Sequence, residues 1–218
     1  MKKIVTIASL LLLLFNQQTW SQPVFEWVKN IGGSGTDVGT EITSDANGNV
    51  IVCGRFENTI DSDPGSGTNN LVSAGSFDMV VIKFDANGQF LWSKQIGGTG
   101  YDEFTNVECD AAGNVILVGY FEGVVDIDPN AGVNTLTSQG TSDLFVLKLS
   151  PLGETIWMHE ISGTSSESTG GLAVISTGHI IVSGGFTGTA IFSSSDNLTS
   201  AGENDAYVLK LNPDGTLN

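Results

Sequence analysis

Short apolar runs separated by glycine-containing turns recur along most of the chain. Over the first stretch this alternation predicts strands at 40–45, 49–56, 59–63, 78–84 and 89–96. Asn47-Gly48 and Asn87-Gly88 stand between pairs of these strands, and an Asn-Gly pair is a strong short-range hairpin signal. Consecutive hairpins of this kind form an antiparallel meander of four main strands.

The meander is repeated along the sequence. Trp27, Trp92 and Trp157 are 65 residues apart, and 29 of 65 positions are identical when 27–91 is laid on 92–156 without a gap. The third copy is more divergent and three residues shorter. The units are placed at approximately 32–96, 97–161 and 162–218, and a preceding strand at 24–31 matches the fourth strand of a unit.

Repetition of a four-stranded unit predicts an all-β fold. A single meander leaves apolar residues on both faces, and stacking further copies covers them. The 65-residue period is long for a rung of a β-helix, so the prediction is a β-propeller of three four-stranded blades, each with an inserted loop. Because closed propellers typically have four to eight blades, these three are interpreted as a fragment of a larger propeller or as an open arc.

The first residues have the pattern of an export signal. Lys2 and Lys3 precede an apolar run over 4–15, and small residues follow at Thr19 and Ser21. This predicts a signal peptide at 1–21, a mature region at 22–218 and a secreted or cell-surface protein. The apolar run is short for a bilayer span, and no transmembrane segment is predicted in the mature chain.

Charge narrows the choice of partners. The chain has 24 acidic and 8 basic residues, a formal net charge of −16. Such a surface repels phosphate backbones, which argues against a nucleic acid partner, and it attracts cations. The alternative interpretation is that the acidic surface only keeps the protein soluble.

Two Asp residues separated by one residue recur in the inserted loop and form the candidate metal site. Asp61 and Asp63 in the first unit correspond to Asp126 and Asp128 in the second. Residues two apart on a strand share a face, and Ca²⁺ binds several oxygen ligands, so these four residues are the predicted calcium ligands. The competing interpretation is turn chemistry, in which Asp side chains accept hydrogen bonds from nearby backbone amides. No other cofactor is predicted.

Other polar residues are expected to be structural. Two sets of repeated acids precede strands and should hold loop amides: Asp37 and Asp102, and Asp78, Asp143 and Asp205. The repeated Trp residues should pack between neighbouring blades.

Cys53 and Cys109 occupy non-equivalent repeat positions and are either buried thiols or a disulfide between adjacent units. His159 and His179 lie in different units without a catalytic pattern around them.

The repeated motifs resemble a known family. The series W-x-K-x-I-G-G-x-G-x-D, D-A-x-G-N-V, G-x-F, D-x-D-P and L-x-S-x-G-x-x-D resembles the SBBP β-propeller repeats of secreted and surface proteins of the Bacteroidetes. The likeness spans 24–217 and is weaker in the third unit, where Ile191-Phe192-Ser193-Ser194 replaces the acidic motif. It implies a propeller outside the cytoplasm and brings no general catalytic activity.

Two functions follow as expectations. The first is a non-enzymatic binding or scaffolding module for an extracellular protein or glycan, which accounts for the repeats, the leader and the missing catalytic motifs. The alternative is an extracellular propeller enzyme, a polysaccharide lyase or hydrolase. That enzyme would need one unit to break the repeat by gaining acids or a His/Tyr set, whereas the third unit loses acids.

Overall fold

The computed structural model describes residues 24–130 and 132–218, so the predicted signal peptide lies outside the described residues. These ranges contain β-strands and no helix, and therefore no helix able to span a bilayer. In chain order the strands are β1 (Gly32–Gly33), β2 (Asp37–Ser44), β3 (Val50–Phe56), β4 (Thr59–Asp61), β5 (Asn70–Val72), β6 (Asp78–Phe84), β7 (Phe90–Gly98), β8 (Glu103–Cys109), β9 (Val115–Phe121), β10 (Val124–Asp126), β11 (Thr135–Thr137), β12 (Asp143–Leu149), β13 (Thr155–Gly163), β14 (Glu167–Val174), β15 (Ile180–Phe186), β16 (Thr189–Ile191), β17 (Asn197–Thr199) and β18 (Asp205–Leu211).

Each unit is an antiparallel meander with an inserted hairpin. In unit 1, β2, β3, β6 and β7 pair in that order, while β4 and β5 form the hairpin. Unit 2 repeats this arrangement with β8, β9, β12 and β13, and unit 3 contains the first three strands, β14, β15 and β18. The predicted all-β, propeller-like repeat is confirmed, and the sheets described here do not close into a ring.

Turn chemistry explains where the strands of unit 1 reverse. The backbone between β2 and β3 turns at Gly48, which has a φ of 77°, a left-handed value that favours glycine. The Asp45 carboxylate accepts hydrogen bonds from the backbone N–H groups of Asn47 and Asn49 and so holds the turn closed. Unit 2 repeats this with Asp110 and Gly113.

Some predicted bounds were wrong. Residues 24–31 make no strand pairing within the described ranges. Their counterparts β7 and β13 each pair with the third strand of their own unit, and the described residues before 32 contain no such strand. Pairing begins instead at Gly32. Residues 62–63 fall outside β4, and 70–72, predicted as loop, form its hairpin partner β5.

The fourth strands of units 1 and 2 each join two neighbouring units. β7 pairs with β6 along most of its length, and its last residues, Gly97 and Gly98, pair with β10 of unit 2. β13 makes the same link to β16, and β1 to β4. The backbones approach so closely that a Cβ on Gly98 would lie 1.9 Å from the carbonyl oxygen of Val124. The second glycine of the repeated pair is therefore a steric requirement of the link between units.

Side chains of successive units fill the spaces between sheets. Val81 of unit 1 and Phe104, Val107 and Phe145 of unit 2 are buried in one cluster. Val146 of unit 2 lies in the corresponding cluster with residues of unit 3. Every residue of β6 and β12 is buried, because each of these third strands has a neighbouring strand on both sides and a covered sheet face on both sides. The core thus lies mainly between units.

The close approach at Gly98 leads to a stability prediction. We expect Gly98→Ala to lower the free energy of unfolding by about 1–3 kcal/mol, because the methyl group must push β7 and β10 apart. Gly202→Ala is the matched control, since nothing lies within 4 Å of a Cβ there. Urea denaturation of both variants tests this, and equal midpoints for the two would contradict it.

Candidate functional site

The predicted calcium ligands of unit 1 are engaged in turn chemistry. Oδ1 of Asp61 accepts hydrogen bonds from the N–H groups of Asp63 (3.1 Å) and Asn69 (2.9 Å), and Oδ1 of Asp63 accepts one from Gly65 (2.8 Å). These bonds close the loop between β4 and β5. The competing interpretation from the sequence therefore describes what these carboxylates do in the structure.

Unit 2 repeats this loop beside a cavity. Asp126 accepts hydrogen bonds from the N–H groups of Asp128 and Asn134, and both carboxylates line a cavity of about 260 Å³ that Asp78 of unit 1 also lines. Across 24–130 and 132–218, no three His, Cys, Asp or Glu side chains are placed to hold a metal ion. Calcium binding stays a prediction for Asp61, Asp63, Asp126 and Asp128.

Calorimetry with Ca²⁺ tests the predicted site. If the paired carboxylates bind calcium, titration gives heat and millimolar Ca²⁺ raises the melting temperature, because a ligand that binds only the folded state stabilises it. A variant carrying Asp126→Asn and Asp128→Asn should lose both effects at unit 2. Absence of heat and of any melting shift in the unaltered chain would exclude calcium.

The repeated acids at the strand starts hold loop amides, as predicted. Gly33 and Gly98 donate their N–H groups to Asp37 (2.8 Å) and Asp102 (2.7 Å). Each acid of the other set also accepts a hydrogen bond from the backbone N–H four residues before it: Ala74 donates to Asp78, Gln139 to Asp143 and Ala201 to Asp205. Burial raises the pKa of Asp102 to about 7, although the N–H groups of Gly98 and Glu122 oppose that rise.

Unit 3 breaks the first of these sets with a longer acid. Glu167 occupies the position of Asp102 and is 2% exposed, and both of its carboxyl oxygens lack a hydrogen-bond partner among the described residues. Burial, followed by the charge of Asp143, raises the pKa of Glu167 to about 7. At the junction of units 1 and 2, the side chain of Gln95 donates a hydrogen bond to Asp78 at 2.6 Å. The corresponding residues at the junction of units 2 and 3 are Glu160 and Asp143.

This carboxyl group makes stability depend on pH. Because the pKa of Glu167 is raised in the folded state, the folded chain holds a proton that the unfolded chain has already released between pH 4.5 and about 7. Stability therefore falls as pH rises through this window. We expect Glu167→Gln to raise the free energy of unfolding at pH 8, by up to ~3 kcal/mol, and to change it little at pH 4.5.

Thermal unfolding at the two pH values measures this difference. The control is Glu203→Gln, which alters an exposed carboxyl group in the same unit. An equal effect of Glu167→Gln at both pH values would show that Glu167 does not titrate between them.

The remaining candidates from the sequence are structural. Cys53 and Cys109 are both free thiols, and burial raises the pKa of each to about 12, so the disulfide alternative is not formed. Burial lowers the pKa of the His159 side chain. The predicted packing of the repeated Trp residues is confirmed: Trp92 donates its Nε1–H to the carbonyl oxygen of Pro151 at 3.0 Å, in the turn of the next unit.

A cluster of polar and aromatic side chains lies where units 1 and 2 meet, and we call it the junction cluster. It consists of Arg55, Phe77, Tyr101, Glu103 and Tyr120. The Arg55 guanidinium lies 5.3 Å from the ring centroid of Phe77 and 5.4 Å from that of Tyr101. It also forms an ion pair with Glu103 across the junction.

Hydrogen bonds fix the geometry of the junction cluster. The hydroxyls of Tyr101 and Tyr120 donate to the same Glu103 oxygen, at 3.1 and 2.8 Å. Their rings stack with centroids 5.8 Å apart and planes inclined by 2°. Burial raises the pKa of both tyrosines, so their hydroxyls stay protonated and act as donors. Arg55 keeps 23% of its side chain exposed, and Phe77, Tyr101 and Tyr120 are also partly exposed, so the cluster is partly accessible from solvent.

The junction cluster departs from the repeat, and sequence analysis did not identify it. Phe77 and Tyr101 correspond to Ser142 and Ser166, which meet at the junction of units 2 and 3. Arg55 is the only arginine in the chain, and its counterparts are Tyr120 and Gly185. A comparison of the units for positions where they differ, not only where they agree, would have found these residues.

Comparisons with known proteins support the repeat architecture. No family model matches the chain. An uncharacterized WD repeat-containing protein of Acanthamoeba polyphaga mimivirus is 26% identical over 209 residues. The similarity covers 80% of this chain and 14% of that protein, so the chain spans about a seventh of this relative's length. Together with the all-strand structure, the similarity indicates a propeller-like repeat protein.

Proposed function

We propose that the chain is a non-enzymatic, propeller-like binding module that recognises a protein partner at the junction cluster. The observation that carries this proposal is the placement of the Arg55 guanidinium over two neighbouring aromatic rings, at a position where the units stop repeating. Residues that serve only the repeat would recur at the next junction, whereas these do not.

The chemistry of the junction cluster suits protein recognition. Tyr and Arg are enriched among the residues that dominate binding energy at protein interfaces. Here the ion pair with Glu103 and the two tyrosine hydrogen bonds hold these side chains before any partner arrives, which reduces the entropic cost of binding. The net charge of −16 further favours a partner with a basic surface.

The proposed location is outside the cytoplasm. Its support is the leader pattern at 1–21 and the resemblance to SBBP-type repeats of secreted and surface proteins. The WD-repeat relative supports the repeat and the interaction role, since repeat surfaces of this kind bind partners. A glycan is the second ligand class to be tested at the same surface.

Comparative capture tests the proposal. The full chain and an Arg55→Lys, Tyr101→Ala variant are immobilised and exposed to extracellular proteins of the source organism. A specific partner is then purified and titrated against both chains. We expect at least a tenfold loss of affinity in the variant, because lysine lacks the planar stacking surface of arginine. Leu152→Ala, an exposed change at a turn between β12 and β13, is the control.

Three outcomes would overturn the proposal. Equal affinity of the variant and the unaltered chain would remove the junction cluster from recognition. Binding of the chain to glycans and to no protein would replace the partner class. Release of new reducing ends from a polysaccharide panel would make the chain an enzyme.

A further inference from the structure

Three acidic side chains lie close together where units 2 and 3 meet. Asp143 is the first residue of β12, Glu160 lies on the neighbouring strand β13, and Glu167 is the first residue of β14. Burial is the largest cause of the raised pKa of both glutamates, and the charge of Asp143 is the next. Asp143 therefore lies near both of the other carboxyl groups.

The equivalent carboxylates between units 1 and 2 are supplied with hydrogen-bond donors. Asp78, Gln95 and Asp102 occupy the three positions there. The side chain of Gln95 donates to Asp78 at 2.6 Å, and Asp102 accepts hydrogen bonds from the N–H groups of Gly98 and Glu122 at 2.7 and 3.3 Å. The repeat thus contains a self-sufficient version of this junction.

Units 2 and 3 differ at two of these positions, and the donors are lost. Glu160 replaces the donating amide with a further carboxylate, and Glu167 is one methylene longer than Asp102. Both carboxyl oxygens of Glu167 and Oδ1 of Asp143 lack a hydrogen-bond partner among the described residues, although Glu167 is 2% exposed and Asp143 is 0% exposed. A buried charge without a partner is strongly unfavourable, so these oxygens need a ligand.

The Glu167 side chain points into the junction and away from solvent. A Cβ on Gly163 would overlap with Oε1 of Glu167, so the carboxyl group lies directly against the backbone of β13. Gly163 pairs with Ala190 at the link between units 2 and 3. The unpartnered oxygens of Glu167 are therefore held at the point where the two units are joined.

No basic side chain of the described residues forms an ion pair with these three acids. Arg55, Lys83 and Lys148 form ion pairs with other carboxylates. Hence the negative charge between units 2 and 3 is neutralised by a proton or by a cation taken up from solution. Because the unpartnered atoms are carboxylate oxygens, the cation they suit is a hard one.

We propose that Asp143 and Glu167 bind one calcium ion between units 2 and 3. The two carboxylates balance the charge of the ion, and Glu160 adds negative charge beside it. A site with two carboxylate ligands agrees with the finding that no three acidic, His or Cys side chains in 24–130 and 132–218 are placed around a metal. Ca²⁺ completes its shell with backbone carbonyl oxygens and water, and it accepts irregular geometry more readily than Mg²⁺ does.

This site is separate from the loop carboxylates of Asp126 and Asp128, and its ion would join two units where the loop site would lie within one. With two charged ligands, we expect a dissociation constant on the order of 10⁻⁴–10⁻³ M, as in extracellular calcium modules.

Thermal unfolding of the full chain at pH 8, in EDTA and in millimolar CaCl₂, tests the proposal. At about ten times the dissociation constant, calcium should raise the melting temperature of the unaltered chain by roughly 3–5 °C. Glu167→Gln removes the charge and keeps the size of the side chain. This variant should unfold at a higher temperature than the unaltered chain in EDTA, and it should lose the increase that calcium gives.

Two controls separate this site from the other acids of the chain. Glu203→Gln removes an exposed carboxylate of unit 3 and should keep the full increase. The variant carrying Asp126→Asn and Asp128→Asn should also keep it. Calorimetry with CaCl₂ should show one bound ion fewer per chain in Glu167→Gln than in the unaltered chain.

The proposal is overturned if calcium does not raise the melting temperature of the unaltered chain, since a proton would then be the only ligand of these oxygens. It is also overturned if Glu167→Gln binds as many calcium ions as the unaltered chain, or if the Asp126→Asn, Asp128→Asn variant loses all binding. None of these results depends on the junction cluster, which lies between units 1 and 2.

Discussion

The backbone contact at the end of each fourth strand is the constraint on which the rest of the structure depends. Gly98 approaches the carbonyl oxygen of Val124 so closely that no side chain fits, and Gly33 approaches that of Thr59 in the same way. This contact makes one strand belong to two units at once. Once the contact is set, the facing sheets are brought to packing distance, and the apolar side chains between them become the core.

The acids at the strand starts follow from this constraint. A glycine at the junction has no side chain that could hold its backbone in place. The carboxylates of Asp37 and Asp102 hold it instead, by accepting hydrogen bonds from the N–H groups of Gly33 and Gly98. The cost is burial of a carboxyl group, which is visible in the raised pKa of Asp102. In unit 3 the longer Glu167 fills this position, and its two oxygens are left without partners in the described chain. The junction of units 1 and 2 and that of units 2 and 3 therefore each contain a buried carboxyl group with a raised pKa.

Sequence periodicity was sufficient for the fold because local signals and the repeat agree. The 78–84 strand was predicted with its observed bounds, since an apolar run flanked by Gly-rich and Asn-Gly turns leaves little freedom. The segment 24–31 was assigned as a strand on its sequence alone, but a strand needs a neighbour, and sequence does not show whether one is present. The hairpin partner 70–72 was missed because a short strand among Ser, Gly and Asn has almost no apolar pattern.

The candidate site was harder to predict than the fold for a related reason. Repeats draw attention to shared residues, and shared residues here serve folding. The carboxylates of Asp61 and Asp126 recur because their loop needs them, as their bonds to Asn69 and Asn134 show. Arg55 and Tyr101 come together only because β3 of one unit ends near the start of β8 of the next. That proximity is a product of the tertiary structure and leaves no spacing signature in the chain.

The inserted hairpins also make the units independent of one another in length. The segment between β16 and β17 is three residues shorter than the equivalent segment of unit 2, and yet β18 resumes full pairing with β15. Because the tip of each hairpin lies outside the strand that pairs with the sheet, as β10 pairs with β7, a change of length at the tip is not passed to the strands that follow. Each unit can therefore evolve a different outer loop by insertion or deletion while the stacked sheets behind it stay in register.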